Sequence, residues 1–171
     1  SDGFQRPKPP LRTLLCTFDF SRAFDSVWHS ALFHKLLSLD FPPPFVSFIQ
    51  SFLSDRRAYV SFEGSRSRNF RVRQGVPQRS VLGPVLFLLF INDISSTLPS
   101  SCHFSLFADD LAVWVQSPSL NQAQRLLQQV VDACYDWSMK WRLFFNPSKC
   151  SVSLFSSDPR EAHIQPTLYL G

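Results

Sequence analysis

The sequence has little glycine and no closely spaced cysteines. Five glycines in 171 residues leave little material for flexible linkers, while thirteen prolines supply most of the chain-breaking residues. The four cysteines are far apart, at Cys16, Cys102, Cys134 and Cys150. Their spacing excludes a zinc site built from cysteine pairs and a dense disulfide scaffold, and it favours a reducing, intracellular environment.

Long apolar runs are also missing, and the first residues do not resemble a signal peptide. The longest unbroken apolar stretch, residues 85–91, is far shorter than the roughly 20 residues that a membrane-spanning helix requires. The first seven residues contain neither an initiator methionine nor an apolar stretch of the kind found in signal peptides. We therefore expect no membrane partner, and we expect the chain to be a piece of a longer protein.

Apolar and aromatic residues, by contrast, are abundant. Hydrophobic residues make up 44% of the chain and charged residues 18%, and there are 18 phenylalanines and four tryptophans. This composition argues against a disordered chain and provides ample material for one core. Because the sequence shows no internal repeat and no long low-complexity linker, we predict a single domain over residues 1–171.

Positive charge is concentrated in one segment. The net charge is only +4, but seven arginines lie between positions 54 and 79, opposed there only by Asp55 and Glu63. They are Arg56, Arg57, Arg66, Arg68, Arg71, Arg73 and Arg79. Alternation of apolar and basic residues over 69–73 predicts a hairpin. Two interpretations stay open, a surface that binds nucleic-acid phosphates and a merely solvated hairpin face.

Strands and helices are predicted in an irregular order. Apolar runs indicate strands over residues 14–20, 102–107, 111–115 and 150–155. Helical spacing predicts helices after Ser26, after the proline run 42–44 and over 120–141. The apolar stretch that includes residues 85–94 is too long for an ordinary strand, which predicts a largely buried helix there. Because no regular strand-helix-strand repeat is present, the pattern indicates an α+β fold.

Three aspartates lie in apolar surroundings. Asp19 ends an apolar strand, while Asp109 and Asp110 lie at a predicted tight turn between two strands. Carboxylates in such places need cations or hydrogen-bond donors, and Mg²⁺ prefers oxygen ligands. Two such ions about 4 Å apart would support phosphoryl transfer. For the Asp109-Asp110 pair alone, a turn without function is the simpler interpretation, and it weakens once Asp19 and the arginines are considered together.

Five blocks of residues resemble motifs of the reverse transcriptase domain of non-LTR (LINE-like) retrotransposons, in the same order and at similar intervals. The blocks are residues 16–25, 74–84, 107–110, 146–149 and 168–171, the last resembling the beginning of the primer-gripping segment. The resemblance covers residues 14–171. It implies a right-hand polymerase palm with part of the fingers, in which an antiparallel sheet packs on helices. It also places the thumb beyond Gly171 and supplies no endonuclease region.

The resemblance implies RNA-directed DNA synthesis with two Mg²⁺ or Mn²⁺ ions, an RNA template, a DNA primer and deoxynucleoside triphosphates. It assigns metal binding to Asp19, Asp109, Asp110 and the Phe20 backbone carbonyl, and proton donation or charge stabilisation to Lys149. It assigns nucleotide contacts to Phe24, Gly75, Pro77 and Gln78, and nucleic-acid binding to the basic hairpin with Arg56, Arg57, Arg71 and Arg73. Phe24 matches the position that blocks a ribose 2′-hydroxyl. A core phenylalanine at Phe24 and a solvated lysine at Lys149 are the simpler alternatives.

Several departures from the family pattern bear on activity. Arg79 stands where the family usually has glycine, and Trp28 replaces the acidic residue usual before His29. Residues before Leu14 do not clearly supply the fingers motifs that hold the triphosphate. A catalytically inactive or truncated nucleic-acid-binding remnant is therefore the main alternative. An interaction module on the tryptophan-bearing helix and a polymerase that copies RNA into RNA have less support.

Overall fold

The computed structural model describes residues 10–161 and 163–171. In this part of the chain the strands β1 to β8 are Arg12–Asp19, Arg57–Ala58, Ser61–Phe62, Ser65–Arg66, Phe70–Arg71, His103–Phe107, Asp110–Ser117 and Ser151–Phe155. The α-helices α1 to α4 are His29–Ser38, Pro43–Leu53, Leu82–Ile91 and Leu120–Trp141. Short 3₁₀ helices occupy Ala23–Ser26, Asn92–Thr97 and Pro159–Glu161. The expectation drawn from the first seven residues concerns residues outside this range.

The chain forms two compact units. The first contains the described residues up to Asp19, residues 94–137 and the described residues from 145 onward. The second contains residues 20–93 and 138–144. The single-domain organisation over residues 1–171 stays a prediction.

The first unit is built on a four-stranded antiparallel sheet with the order β6-β7-β1-β8. Side chains alternate across the sheet, so that Leu14, Cys16 and Phe18 of β1 are buried while their neighbours are not. Strand β7 repeats the pattern, and α4 adds a buried stripe at helical spacing. The core of this unit therefore lies on one face of the sheet, and the other face carries both polar side chains, such as Thr17 and Asp19, and apolar ones, such as Leu15 and Trp114.

The second unit contains α1, α2 and α3, of which α1 contacts both of the others. Helix α2 begins at Pro43, inside the proline run rather than after it, because proline at the first helical position needs no hydrogen-bonded N–H. Helix α3 begins three residues before the predicted start and gives way to a 3₁₀ helix at Asn92. No helix in the described ranges is both long and apolar enough to cross a membrane.

A hairpin over residues 56–73 also belongs to the second unit. Its base pairs β2 with β5 and its tip pairs β3 with β4, around a two-residue turn in which Glu63 and Gly64 have φ angles of 46° and 81°. The two ladders differ by one residue in register, which places a bulge in the returning arm opposite Tyr59. The predicted hairpin thus forms, but its apolar side chains are not buried: Phe62 is 72% exposed and Phe70 50%.

Candidate active site

Asp19 and Asp110 lie opposite each other at the ends of the two central strands. The register of β1 and β7 pairs them directly. Both belong to the sheet face that points away from buried Phe18 and Leu111. Because Cβ atoms of directly opposed residues in an antiparallel pair are about 5 Å apart, the two carboxylates are close neighbours. The structure therefore brings together two acidic residues that are far apart in the sequence.

Asp109 lies beside this pair, in the turn between β6 and β7. Phe107 pairs with Asp110, which leaves Ala108 and Asp109 as a two-residue turn, and Ala108 adopts a left-handed φ of 52°. Asp109 itself is half-buried. Within residues 10–161 and 163–171, no three or more His, Cys, Asp and Glu side chains are gathered into a group that could hold a metal ion. The three aspartates thus lie at one end of the central strands without forming a closed ligand cluster.

The fourth motif approaches Asp19 through a turn. The Asn146 N–H donates to the Asp19 carbonyl at 2.8 Å, and the Asn146 side-chain oxygen accepts from Ser148 N and Oγ at 3.3 and 2.7 Å. This turn leads to Lys149, whose Nζ is 3.4 Å from Asp19 Oδ2. The Lys149 side chain is 64% exposed, so the ion pair itself contributes little stability. Asn146, which had no predicted role, anchors the motif; an Asn-Pro-Ser turn is the signal that points to it.

The fifth motif runs as an extended segment against α4. Gln128 Oε1 accepts from the Tyr169 N–H at 2.9 Å, and Gln128 Nε2 donates to the Tyr169 carbonyl at 2.8 Å. A cavity of about 580 Å³ lies between this segment and the sheet, with Cys16, Phe18 and Cys150 in its lining. The segment resembling a primer grip is thus held by two backbone contacts from one side chain.

In the second unit, Gly75 packs against the first motif. Its φ is 82°, and a Cβ atom here would lie 2.7 Å from both the Cα and the carbonyl oxygen of Asp25, so only glycine fits. The Gly75 N–H donates to the Val27 carbonyl at 2.8 Å, and the Val76 N–H donates to the Phe24 carbonyl at 2.7 Å. These contacts fix the loop of the second motif against the 3₁₀ helix of the first.

Asp25, for which the sequence predicted no role, contacts this loop. Gln78 Nε2 donates to Asp25 Oδ1 at 3.0 Å. The Gly75 carbonyl lies 2.8 Å from His29 Nε2 and accepts from Arg56 Nη1 at 2.8 Å. Burial lowers the pKa of Arg56, and the nearby Asp25 carboxylate opposes that shift. Arg56 therefore supports the loop, besides any contact with nucleic acid.

Phe24 and Pro77 are both placed by packing. The Phe24 ring stacks on Phe87 with centroids 4.7 Å apart, and the side chain is half-buried, which suits both a core role and a nucleotide contact. The Pro77 carbonyl accepts from Ser80 Oγ at 2.7 Å, and Ser80 Oγ in turn accepts from the Gly83 N–H at 2.9 Å. The start of α3 thus holds Pro77 in place.

The structure gives the surroundings of the two departures, Arg79 and Trp28. Arg79 has a φ of 60°, the left-handed conformation that glycine adopts most readily, and its side chain is exposed. The guanidinium of Arg142 lies 4.5 Å from the centre of the Trp28 ring. Trp28, which stands where the family usually has an acidic residue, therefore makes a cation–π contact with Arg142. The backbone at Arg79 keeps the shape that a glycine would take.

The predicted site residues fall into three groups. Asp19, Asp109, Asp110 and Lys149 belong to the first unit. Phe24, Gly75, Pro77 and Gln78 belong to the second, as does Phe20, whose side chain is buried. Of the predicted nucleic-acid contacts, Arg57 and Arg71 face each other across the hairpin base, Arg73 is exposed beyond it, and Arg56 contacts the Gly75 carbonyl.

A family model described as "Reverse transcriptase (RNA-dependent DNA polymerase)" matches residues 5–171. The chain is 36% identical over 145 residues to the RNA-directed DNA polymerase from mobile element jockey of Drosophila melanogaster, covering 81% of this chain and 16% of that protein. It is 37% identical over 139 residues to the probable RNA-directed DNA polymerase from transposon BS of the same organism, covering 77% of this chain and 15% of that protein. The chain therefore spans about a sixth of the length of these curated relatives.

Apo telomerase from Candida tropicalis has a similar fold. The TM-score is 0.64 with 15% sequence identity, over 86% of this chain and 32% of that one, and at this identity the likeness concerns the fold alone. It confirms the predicted α+β class with an antiparallel sheet and helices. The family match and the mobile-element relatives likewise confirm the resemblance drawn from the five motifs. The chain belongs to the reverse transcriptase (RNA-dependent DNA polymerase) family, of the kind that non-LTR retrotransposons carry.

Proposed function

We propose that this chain is the catalytic core of an RNA-directed DNA polymerase that extends a DNA primer on an RNA template with deoxynucleoside triphosphates. The observation that carries the proposal is the pairing of Asp19 with Asp110 across β1 and β7, with Asp109 in the adjoining turn. Side-by-side carboxylates repel each other unless a cation lies between them. The four cysteines are free thiols, which suits a place inside the cell.

The acidic residues at this end of β1 and β7 fit Mg²⁺ or Mn²⁺. Mg²⁺ binds through one or two carboxylates and completes its shell with water and substrate phosphates, so a closed protein cage is not required. Asp19, Asp109, Asp110 and the Phe20 carbonyl would hold two such ions. When bound, the ions activate the attacking hydroxyl and neutralise charge on the leaving oxygen.

Lys149 and the loop of the second motif have supporting roles in this proposal. Lys149, close to Asp19 and largely exposed, is placed to donate a proton to the departing pyrophosphate or to neutralise its charge. Gly75 and Pro77 shape the loop, and Gln78 and Phe24 contact the incoming nucleotide. The hydrogen bond from Gln78 to Asp25 holds that side chain in one orientation before the nucleotide binds.

Primer extension tests the proposal. The chain is incubated with an RNA template, an annealed DNA primer, deoxynucleoside triphosphates and Mg²⁺ or Mn²⁺. Asp19→Asn and Asp110→Asn are each expected to lower incorporation about a hundredfold or more, because each removes a charged ligand. Asp136→Asn, which changes an exposed carboxylate on α4, is the matched control and should leave incorporation unchanged. Equal incorporation by Asp19→Asn, or incorporation without divalent ions, would overturn the assignment.

Arg79 favours a second candidate, a catalytically silent domain that still binds nucleic acid. Its long cationic side chain lies in a loop where the family usually has glycine, and it is exposed beside Gln78. Under this candidate the wild-type chain binds RNA but makes no product, and Arg79→Gly restores synthesis. If both chains bind RNA and neither extends the primer, Arg79 is not the cause of the inactivity.

A further inference from the structure

The hairpin over residues 56–73 has two chemically different faces. Arg57 pairs with Arg71 and Ser61 pairs with Arg66, while Ala58 pairs with Phe70 and Phe62 pairs with Ser65. Directly paired residues point to the same side, and side chains alternate along each extended arm. The bulge in the returning arm keeps the first arm regular. One face therefore carries Arg57, Arg66 and Arg71, and the other carries Ala58, Phe62, Ser65 and Phe70.

Tyr59 lies on the basic face. It is two residues after Arg57 and two before Ser61, so alternation places it on the side of Arg57, Arg66 and Arg71. The Arg66 guanidinium confirms this position, because it lies 4.7 Å from the centre of the Tyr59 ring. The ring is 47% exposed. An aromatic ring that makes a cation–π contact with Arg66, and that shares its face of the hairpin with Arg57 and Arg71, is thus open to solvent.

We propose that Tyr59 is a stacking platform for an unpaired base of single-stranded nucleic acid, whose phosphates are bound by Arg57, Arg66 and Arg71. Proteins that bind single strands without sequence preference combine a basic track for the backbone with aromatic rings for the bases. Arginine also pairs with phosphate through two parallel hydrogen bonds. Duplex nucleic acid, whose bases are already stacked, offers the phosphates but no free base.

Charge complementarity identifies the ligand class. Near the tip only Glu63 carries negative charge, and at the base Asp55 is paired with Arg71 at 3.3 Å in an exposed contact. Such a pair is weak enough to exchange for a phosphate. The inference rests on the proposed function for the identity of the strand as template, but the binding itself requires neither metal ions nor catalysis.

Binding is measured with the full chain and fluorescently labelled oligouridine of about 12 nucleotides, in the presence of a chelator that removes divalent ions. Tyr59→Ala is expected to weaken binding about fivefold or more, because stacking on one ring is lost. Tyr59→Phe should stay within about twofold of wild type. A duplex RNA of the same length should lose less than about twofold on Tyr59→Ala. Oligothymidine DNA of equal length should show the same dependence on Tyr59.

Phe62→Ala is the matched control, because Phe62 is more exposed than Tyr59 and lies on the opposite face. It should leave oligouridine binding within about twofold of wild type. The proposal is overturned if the wild-type chain does not bind the single strand, if Tyr59→Ala binds like wild type, or if Phe62→Ala or the duplex shows the same loss. Since no nucleotide is incorporated in this assay, a failure here is distinct from a failure of primer extension.

Discussion

The four-stranded sheet and the basic hairpin are both antiparallel, yet they use their side chains in opposite ways. The sheet buries one face, where Leu14 and Val113 are fully inaccessible, and presents Asp19 and Asp110 on the other. The hairpin buries neither face, and Tyr59 and Phe62 are exposed on opposite sides. A packed face fixes the position of the carboxylates, as bond-making chemistry requires. A hairpin without a core presents a surface suited to binding a flexible strand.

The largest effect that separates the two regions is on stability. Leu14→Ala should lower the free energy of unfolding by about 2–5 kcal/mol, because Leu14 is fully buried in the central strand and its loss leaves a cavity. Phe62→Ala removes a larger side chain but should change the free energy of unfolding by no more than about 0.5 kcal/mol, because Phe62 is exposed. Denaturant unfolding of the two variants provides the measurement. A loss of 2 kcal/mol or more in Phe62→Ala would show that the hairpin has a core after all.

Gly75 and Gly64 have nearly the same φ but different surroundings. Gly75 (φ 82°) would place a Cβ 2.7 Å from the Asp25 backbone, whereas Gly64 (φ 81°) at the hairpin tip has no atom within 4 Å of that position. Gly64→Ala should therefore cost only the strain of a left-handed alanine, about 1 kcal/mol. Gly75→Ala adds a backbone clash, so its loss of unfolding free energy should be about 2 kcal/mol or more. Equal losses in denaturant unfolding would contradict the clash.

The same contrast explains how much of the site could be predicted from the sequence. Asp19 at a strand end and Asp109-Asp110 at a turn followed from local patterns, because apolar runs and turn residues are local signals. The register that pairs Asp19 with Asp110 depends on strands some 90 residues apart, and the contact of Gly75 with Asp25 joins a loop to a 3₁₀ helix 50 residues away. Alternation of apolar and basic residues predicted the hairpin correctly, but it could not tell whether the apolar side is covered, because burial depends on a neighbouring element; Phe62 and Phe70 are exposed.

A buried lysine should make the stability of the protein depend on pH in a way that an exposed arginine does not. Lys35 of α1 contacts Asp93 at 2.5 Å and is 5% exposed, and burial lowers its pKa to about 8 although Asp93 opposes the shift. The unfolded chain keeps this lysine near its ordinary pKa of 10.5, so between pH 8 and 10.5 the unfolded state binds more protons. Lys35 by itself should therefore raise stability over this window, by at most about 3 kcal/mol, whereas Cys16 and Cys134, whose pKa burial raises from 9.0 to about 12, lower it above pH 9.

The measurement is the denaturant midpoint between pH 7 and 10, in wild type and in Lys35→Met. As pH rises from 8 to 10, the midpoint of the variant should fall relative to that of wild type, since methionine does not titrate and fills similar space, while the contribution of the cysteines is common to both. Arg57→Met, which removes an exposed hairpin charge, is the control and should follow wild type. A midpoint that falls over the same range in wild type but not in Lys35→Met would show that the pKa of Lys35 is raised, contrary to the effect of burial.

The smallest effect on stability is expected for Arg71→Ala. Its ion pair with Asp55 joins side chains that are 64% and 83% exposed, so the free energy of unfolding should change by less than about 0.5 kcal/mol. The backbone ladder at the hairpin base does not involve that side chain and should persist.

The same variant should have a clearer effect on the binding of oligouridine. The slope of log affinity against log salt should become less steep by about 0.7, because one phosphate contact is removed. Tyr59→Ala should leave that slope unchanged, since it removes no charge. If Arg71→Ala destabilised the fold while leaving the slope intact, the arginines would hold the hairpin together rather than hold its ligand.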